Sequence, residues 1–275
     1  MTDRVSRVAT VASYAVLVLV CAATLLPLAY MVSLSLQTEA ETLSGDPVLW
    51  PAALQFGNYV ELFQRAPFGH FVLNSLVVAG GITLAHLAFD PLMGFVFAKY
   101  RFPLRNTLFL FLLATLMVPF FVRMIPLYVM MANMGWLNSY QALITPFLMD
   151  AFGIFLMRQF IAPIPDDLLQ AARIDGASEL RIYLRIILPN VKPALAVLAL
   201  FTFVFQWNEF LWPLVVTTTE KMRTIPVGLT LFNQEYFTLW NLTAAGSVIL
   251  FVPTIVLFLA SQRYFVRGIT LSGLK

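Results

Sequence analysis

The chain has 275 residues, of which 60% are hydrophobic and 11% are charged, and its mean hydropathy is +0.83. Soluble domains carry about 25% charged residues, so this composition excludes an ordinary soluble protein and indicates a chain that crosses a membrane several times. The net charge of +3 comes from basic residues scattered over many short segments, and we therefore expect no nucleic-acid partner.

Six apolar segments predict an all-α fold, a polytopic bundle of six membrane-spanning helices in a single domain over residues 1–275. The predicted spans are 8–36, 71–97, 107–131, 140–160, 191–216 and 242–261. The segments 37–70 and 217–241 are long enough to have structure of their own and are expected on the outer side. Most Lys and Arg residues fall on the other side, so the positive-inside rule places both termini in the cytoplasm.

A polar stretch, which we call the 163–190 loop, separates the fourth and fifth spans. Two aspartates at its start favour the positive end of a helix dipole. We predict a helix over 167–174, a turn at Gly176 and a second helix over 179–188 that Pro189 ends. Small residues in the turn suit close docking into a groove on a soluble partner, although an ordinary amphipathic loop fits these features equally well.

Motifs of known catalytic sites do not occur in the sequence. It contains no phosphate-binding loop, no His-Glu-x-x-His and no Gly-x-Ser-x-Gly. His70 and His86 have no second ligand at metal spacing, and one cysteine, Cys21, allows neither a disulfide framework nor a cysteine metal site. We therefore expect no catalytic residue, no metal site and no cofactor on this chain, and any energy for pumping must come from another polypeptide.

The 163–190 loop carries a recognisable pattern: Gln170-Ala-Ala, three residues, Gly176, nine residues, then Ile186-x-Leu-Pro. It resembles the loop of the membrane subunits of binding-protein-dependent ABC importers. That family usually has Glu where this chain has Gln170, so the charge for any ion pair made there is lost. Further motifs are similar to the carbohydrate-uptake branch, in particular the second permease subunit of maltose-type transporters. They are Asn58-Tyr59, Asn74-Ser75-Leu76, Tyr100-Arg-Phe-Pro103, Ile125-Pro-Leu-Tyr128 and Trp207-Asn-Glu-Phe-Leu-Trp-Pro213.

The resemblance implies a multi-pass permease subunit in a bacterial or archaeal cytoplasmic membrane. Its implied partners are a second permease subunit, two copies of a cytoplasmic ATPase that bind ATP and Mg²⁺, an extracytoplasmic solute-binding protein and a carbohydrate or polyol substrate, in particular a di- or oligosaccharide. The implied ATPase-coupling residues are Gln170, Ala171, Ala172, Asp175, Gly176 and Ala177. In the outer 217–241 segment, Pro226 and Gly228 are expected to form a pre-bent tip. The resemblance implies that the loop with Pro226, Gly228 and Asn233 contacts the binding protein.

Polar side chains inside the spans are candidates for the translocation path, because an ionisable group in hydrocarbon costs at least about 2.5 kcal/mol. They are Asp90, Arg123, Asp150, Trp207, Asn208 and Glu209. Snorkelling to the membrane surface is the alternative for those near span ends, and ordinary packing is the alternative for Trp207. Two other functions stay open. One is import of glycerol-phosphate esters by the same machinery, and the other is a membrane-embedded sugar or lipid transferase with Asp90, Asp150 and Glu209 as acid-base groups.

Overall fold

The computed structural model describes residues 2–44, 48–233 and 238–272, and the side chains of residues 9–44, 48–233 and 238–262. Its described elements are helices and turns, with one isolated bridge between Asn233 and Thr238, which confirms the all-α prediction. In chain order the α-helices are α1 (Thr2–Ser35), α2 (Glu39–Leu43), α3 (Gly57–Arg65), α4 (Phe68–Lys99), α5 (Arg105–Ala114), α6 (Phe120–Asn133), α7 (Tyr140–Ile144), α8 (Ala151–Ile161), α9 (Asp166–Ile174), α10 (Glu179–Ile182), α11 (Leu188–Asn190), α12 (Lys192–Trp207), α13 (Leu211–Val216), α14 (Ile225–Leu229) and α15 (Trp240–Ser272).

Three helices, α1, α4 and α15, are each long and apolar enough to cross a membrane. They cover the first, second and sixth predicted spans. Each contains an internal proline, at positions 27, 91 and 253. Membrane helices tolerate proline where neighbouring groups satisfy the backbone carbonyl that loses its donor.

Three further candidate spans in the described residues are helix pairs with a bend. The bend is 97° between Arg105–Met117 and Phe120–Asn133, 43° between Tyr140–Phe147 and Ala151–Ile161, and 80° between Glu179–Asn190 and Lys192–Trp207. Counting each pair as one span gives up to six candidates. The number of spans, the single domain and the sidedness of the termini stay predictions.

The chain forms two compact units, and the first comprises Met1–Phe68 and Leu229–Val252. Its described part is tied together by Asn58, which is buried. The side-chain amide of Asn58 donates to the carbonyls of Ser35 and Gln37 at 2.9 and 2.8 Å, and its Oδ1 accepts from Asn241 Nδ2 at 3.2 Å. The Asn58-Tyr59 motif therefore fastens loops onto helices in this unit.

The second unit comprises Gly69–Gly228 and Pro253–Lys275 and contains the candidate functional residues of α4 to α13. One buried cluster joins α4, α8 and α12 to the 163–190 loop; it includes Phe95, Met157, Ile161, Leu169, Ile182, Ile187, Ala194 and Leu198. Another joins α4, α6, α7 and α13; it includes Val78, Ile82, Met131, Leu143, Trp212 and Val216. These clusters hold the loop and the polar groups described below in fixed positions.

Candidate functional site

The 163–190 loop folds as a helical hairpin whose turn is set by the backbone. Helix α9 ends in a Schellman motif: the Gly176 N–H donates to the Arg173 carbonyl at 3.0 Å, and the Ala177 N–H donates to the Ala172 carbonyl at 2.9 Å. Gly176 has φ +77°, a conformation that suits glycine. The predicted first helix and the turn at Gly176 are confirmed here.

The second arm of the hairpin is longer than predicted. Ser178 caps its start by accepting from the Arg181 N–H, and the helical path continues through a π-helical turn at Tyr183–Ile187 to Asn190. The prediction that Pro189 ends this arm is therefore wrong. A widened turn accommodates a proline, which lacks an N–H and whose ring clashes with the carbonyl four residues before it.

A bidentate ion pair closes the hairpin across its turn. Arg173 Nε and Nη2 donate to the two carboxylate oxygens of Glu179 at 2.7 and 3.2 Å. The Tyr100 hydroxyl, just after α4, donates to the same carboxylate. The two arms and the end of α4 are thereby held in one arrangement.

Lys99 fastens the base of the hairpin to α4. Its ammonium donates to the carbonyls of Ala162 and Ile164, and it lies 2.8 Å from Asp166 Oδ1 at the start of α9. This contact lowers the pKa of the Asp166 carboxyl below its ordinary value. The Lys99 side chain is only 4% exposed, whereas Asp166 is 67% exposed, so the lysine acts as an internal strut.

The hairpin has an inward face and an apolar outward face. Leu169, Ile182 and Ile187 are buried in the cluster with Met157 and Leu198. Other large apolar side chains of the hairpin are exposed, and we call them its outward face: Leu168 51%, Ile174 87%, Leu180 64% and Leu184 50%. Exposed apolar side chains that are grouped on a rigid element mark an interaction surface.

The predicted coupling residues divide between these two faces. Gln170, Ala171, Asp175 and Gly176 are exposed and available to a partner. Ala172 and Ala177 are half-buried and pack against the internal cluster. Their small size therefore serves the fit of the hairpin to its own helices, and the large exposed apolar side chains of the outward face were not predicted from the sequence.

The second group of candidates lies at the break between α12 and α13. Asn208 is exposed and donates to the Val204 carbonyl at 2.7 Å, whereas Glu209 Oε1 accepts from the N–H groups of Leu211 and Trp212 at 3.0 and 3.1 Å. Asn208 therefore ends α12, and Glu209 accepts from the first N–H groups of α13. Non-helical backbone, such as this break between two helices, occurs at membrane depth where it is buried in protein or lines a cavity.

Trp207 and Arg123 have different environments. Trp207 is 1% exposed and stacks on Phe203, with ring centroids 5.5 Å apart. It is a packing residue in this conformation, which is the alternative raised for it. Arg123 is exposed on α6, with its guanidinium carbon 6.0 Å from the ring centroid of Phe120.

Asp90 and Asp150 converge, and His86 joins them. His86 Nδ1 lies 2.7 Å from Asp90 Oδ2 one helical turn away, and one ligand atom of each of the three residues lies within 4.8 Å of the others. The interpretation that His86 has no second ligand at metal spacing is therefore wrong. Its i, i+4 spacing to Asp90 on a helix was a readable signal, whereas the approach of Asp150 depends on how α4 and α8 pack.

The prediction that Gly228 forms a pre-bent tip with Pro226 is wrong, because Gly228 lies packed within α14. Gly228 is buried, and a Cβ there would lie 2.1 Å from Cδ2 of the Phe71 ring. Pro226 lies within α14, one residue after Ile225, whose N–H donates to Ser75 Oγ at 2.9 Å. This part of the segment is packed, and it is not a free loop.

Asn74 fixes the same segment to α4. Its side-chain amide donates to the carbonyls of Lys221 and Arg223 at 2.8 and 2.9 Å, and its Oδ1 accepts from the Tyr140 hydroxyl at 2.7 Å. Asn233 is exposed and forms the bridge with Thr238. The aromatic positions 236 and 237 lie outside the described residues.

The chain matches a family model described as "Binding-protein-dependent transport system inner membrane component" over residues 91–271. The arabinooligosaccharides transport system permease protein AraQ of Halalkalibacterium halodurans is 37% identical over 230 residues, which are 82% of this chain and 81% of that protein. The sn-glycerol-3-phosphate transport system permease protein UgpE of Salmonella typhi is 40% identical over 208 residues, 75% of this chain and 74% of that protein.

Solved structures include a chain with the same fold. It belongs to a bacterial ABC transporter involved in the import of the acidic polysaccharide alginate, with a TM-score of 0.83, 24% identity and coverage of 95% of this chain and 98% of that chain. The relatives are transport permeases, so a transferase function is not supported even though Asp90 and Asp150 converge. The family model covers residues 91–271, and the AraQ and UgpE relatives exceed 30% identity. The chain therefore belongs to the family of inner membrane components of binding-protein-dependent transport systems.

Proposed function

We propose that this chain is one of two permease subunits of an ATP-driven importer and forms half of the translocation path for a di- or oligosaccharide or a related polyol. Six spans place both termini in the cytoplasm of a bacterial or archaeal cell. Two copies of a cytoplasmic ATPase bind ATP and Mg²⁺, and an extracytoplasmic binding protein delivers the solute. This chain itself holds none of the nucleotide chemistry.

One observation carries the choice of substrate class: the 37% identity to an arabinooligosaccharide permease over 82% of the chain. Similarity at this level over most of both proteins supports a related solute. The 40% identity to a glycerol-3-phosphate permease supports the second candidate, import of a glycerol-phosphate ester. The exposed carboxylate of Asp150, beside the buried Asp90, favours a neutral solute over an anionic one if the path passes this point.

The hairpin of the 163–190 loop is the coupling element in this proposal. Its outward face, with Ile174 and Leu180, docks into a groove on the ATPase, while Gln170 and Asp175 contact the rim of that groove. Lys99 and the ion pair between Arg173 and Glu179 make the hairpin rigid. A rigid element transmits a push from the ATPase to α4, α8 and α12, because its inward face is packed against all three.

The path itself runs past the polar break at Asn208 and Glu209 and past Asp150 at the start of α8. At both positions, polar groups interrupt apolar helices. These groups can accept a hydrogen bond from a solute hydroxyl or donate one to it. Arg123 is a further candidate because it is exposed.

Co-expression of this chain with an ATPase, a second permease and a binding protein encoded beside it tests the proposal. We expect a complex of this chain, the second permease and two ATPase copies, whose ATP hydrolysis in nanodiscs rises when the loaded binding protein is added. An arabino-oligosaccharide should stimulate hydrolysis more than glycerol 3-phosphate does. Stimulation only by glycerol 3-phosphate would select the second candidate, and hydrolysis by this chain alone would contradict the proposal.

A further inference from the structure

A polar cluster lies between α4 and α8, outside the hairpin. His86 and Asp90 are 3% and 0% exposed, and Asp150, at the first turn of α8, is exposed. Their three ligand atoms lie within 4.8 Å of one another. A Cβ at position 153 would lie 1.9 Å from Asp90 Oδ2, so the carboxylate is pressed against the backbone of α8.

The hydrogen bonds around His86 determine which ring nitrogen faces the cluster. Nε2 lies 2.9 Å from the Phe147 carbonyl, which can only accept, so Nε2 carries the proton. Nδ1 is then the nitrogen that faces Asp90 Oδ2 at 2.7 Å, and its lone pair becomes available to a cation when the proton shared with Asp90 is displaced. Metal-binding histidines are oriented in this way, with the other ring N–H donating to a backbone carbonyl.

The two carboxylates are also oriented toward a common point. Asp150 Oδ1 accepts from the Gly153 N–H at 2.7 Å, and this hydrogen bond leaves the second oxygen available to a ligand. Beyond its contact with His86, Asp90 has no hydrogen bond of ordinary geometry to another described residue, although the backbone N–H of Asp150 faces it. A fully buried carboxylate without a full set of partners is costly unless a cation or proton compensates it.

The charge of the cluster points to a cation. The 2.7 Å contact between His86 Nδ1 and Asp90 Oδ2 holds one proton while no ion is bound. When a cation displaces that proton, two carboxylates and a neutral imidazole carry a charge of about −2. Among the described residues, the ion pairs of Asp90 and Asp150 do not include a Lys or Arg. A divalent cation would bring this membrane-embedded cluster to neutrality.

We propose that His86, Asp90 and Asp150 form a binding site for a divalent first-row transition-metal ion, with Zn²⁺ as its representative. One imidazole nitrogen and two carboxylate oxygens are a suitable ligand set for such an ion, and a fourth position stays open to water or to a solute hydroxyl. Ligand atoms around Zn²⁺ are about 3 to 4 Å apart. Binding therefore requires the 2.7 Å contact between His86 and Asp90 to open slightly and the exposed Asp150 carboxylate to shift toward them. The site joins α4 to α8, so the bound ion links two helices of the permease. This inference does not depend on which solute is imported.

Zinc binding to the purified, metal-stripped full-length chain tests the proposal, either alone in nanodiscs or in its complex. The purification tag must contain no histidine. Equilibrium dialysis with Zn²⁺ and elemental analysis should give about one ion per chain. Asp90→Asn and His86→Asn should weaken binding at least tenfold, whereas His70→Asn, at the other histidine of the chain, and Glu220→Gln, at an exposed carboxylate, should not.

Asp150→Asn distinguishes the role of Asp150 as a metal ligand from its role as a helix cap. Asparagine caps a helix as well as aspartate does, but it lacks the carboxylate. We expect it to retain the apo chain's thermal midpoint and to weaken Zn²⁺ binding. If Asp90→Asn does not yield folded protein, His86→Asn and Asp150→Asn decide the question. Zinc binding by the wild type no stronger than by His86→Asn and Asp150→Asn would overturn the proposal and reduce the cluster to a pair that shares a proton.

Discussion

The 163–190 loop and the segment from Thr217 to Gly228 each connect helices, and each contains a glycine that sequence analysis assigned to a turn. The surroundings of the two glycines differ. Gly176 has φ +77° and nothing within 4 Å of the position where a Cβ would lie. Gly228 is helical, and the Phe71 ring occupies the space of its Cβ.

This difference shows two separate uses of glycine. At Gly176 the backbone conformation requires it, and the surface around it stays free for a partner. At Gly228 the packing requires it, because a helix and an aromatic ring meet there without room for a methyl group. The first position belongs to the proposed docking surface and the second to the interior of the fold. Substitutions should therefore affect coupling at the first position and stability at the second.

The largest effect is expected at Gly228. Gly228→Ala places a methyl group where the Phe71 ring lies. We expect the free energy of unfolding to fall by about 3 kcal/mol, or the chain not to fold. Gly80→Ala is the matched control, because Gly80 is also helical with nothing within 4 Å of its Cβ position. Thermal unfolding followed by size-exclusion chromatography measures both. Equal midpoints for the two variants would contradict the packed position of α14.

A smaller loss of stability is expected at Asn74. Asn74→Ala leaves the carbonyls of Lys221 and Arg223 without their donor, which should cost about 2 kcal/mol. Tyr140→Phe removes only the hydrogen bond that Asn74 accepts, so its cost should be about 1 kcal/mol. The same unfolding measurement compares the two. A neutral Asn74→Ala would mean that the segment is held to α4 by other contacts.

Gly176→Val should affect coupling more than stability. A β-branched residue at positive φ costs about 1–2 kcal/mol locally, and the hairpin is expected to shift away from its docking position. Gly176→Asn is the control, since asparagine adopts this conformation more readily. ATP hydrolysis stimulated by the binding protein should fall for Val and stay near wild type for Asn. Wild-type stimulation in the Val variant would remove the hairpin turn from the mechanism.

The smallest effect concerns the ion pair between Arg173 and Glu179. The pair is 41% and 47% exposed, so breaking it with Arg173→Gln should cost at most about 1 kcal/mol. Exchanging the two charges should recover part of the loss, although the Tyr100 hydroxyl then loses its acceptor. A double-mutant cycle on thermal midpoints measures the coupling. A coupling energy well above 1 kcal/mol would show that the pair is less solvated than its exposure indicates.

The hairpin could be predicted because its signals are local. Gly176, the capping Ser178 and the acidic start of α9 act on neighbouring backbone groups, so a few residues determine the turn. The break after Trp207 was not predicted, because the apolar pattern continues across Asn208 and Glu209 up to 216. The hydrogen bonds that end one helix and begin the next are visible only in three dimensions.

The His86 cluster was predictable in part. The spacing of His86 and Asp90 places both on one face of a helix, and this could have been read from the sequence. The addition of Asp150, 60 residues farther along the chain, results from the packing of α8 against α4. Gly228 is a similar case, because its neighbour Phe71 is distant in sequence.

Cross-linking of the hairpin to the ATPase tests the central claim most directly. The single cysteine, Cys21, is replaced by serine, and a cysteine is then placed at Ile174, which is 87% exposed, or at Lys221 as the control. In the assembled transporter, a short thiol-to-amine cross-linker should join position 174 to the ATPase and leave position 221 unlinked to it. A cross-link to the ATPase from position 221 would contradict the account. So would the absence of such a cross-link from a reactive cysteine at position 174.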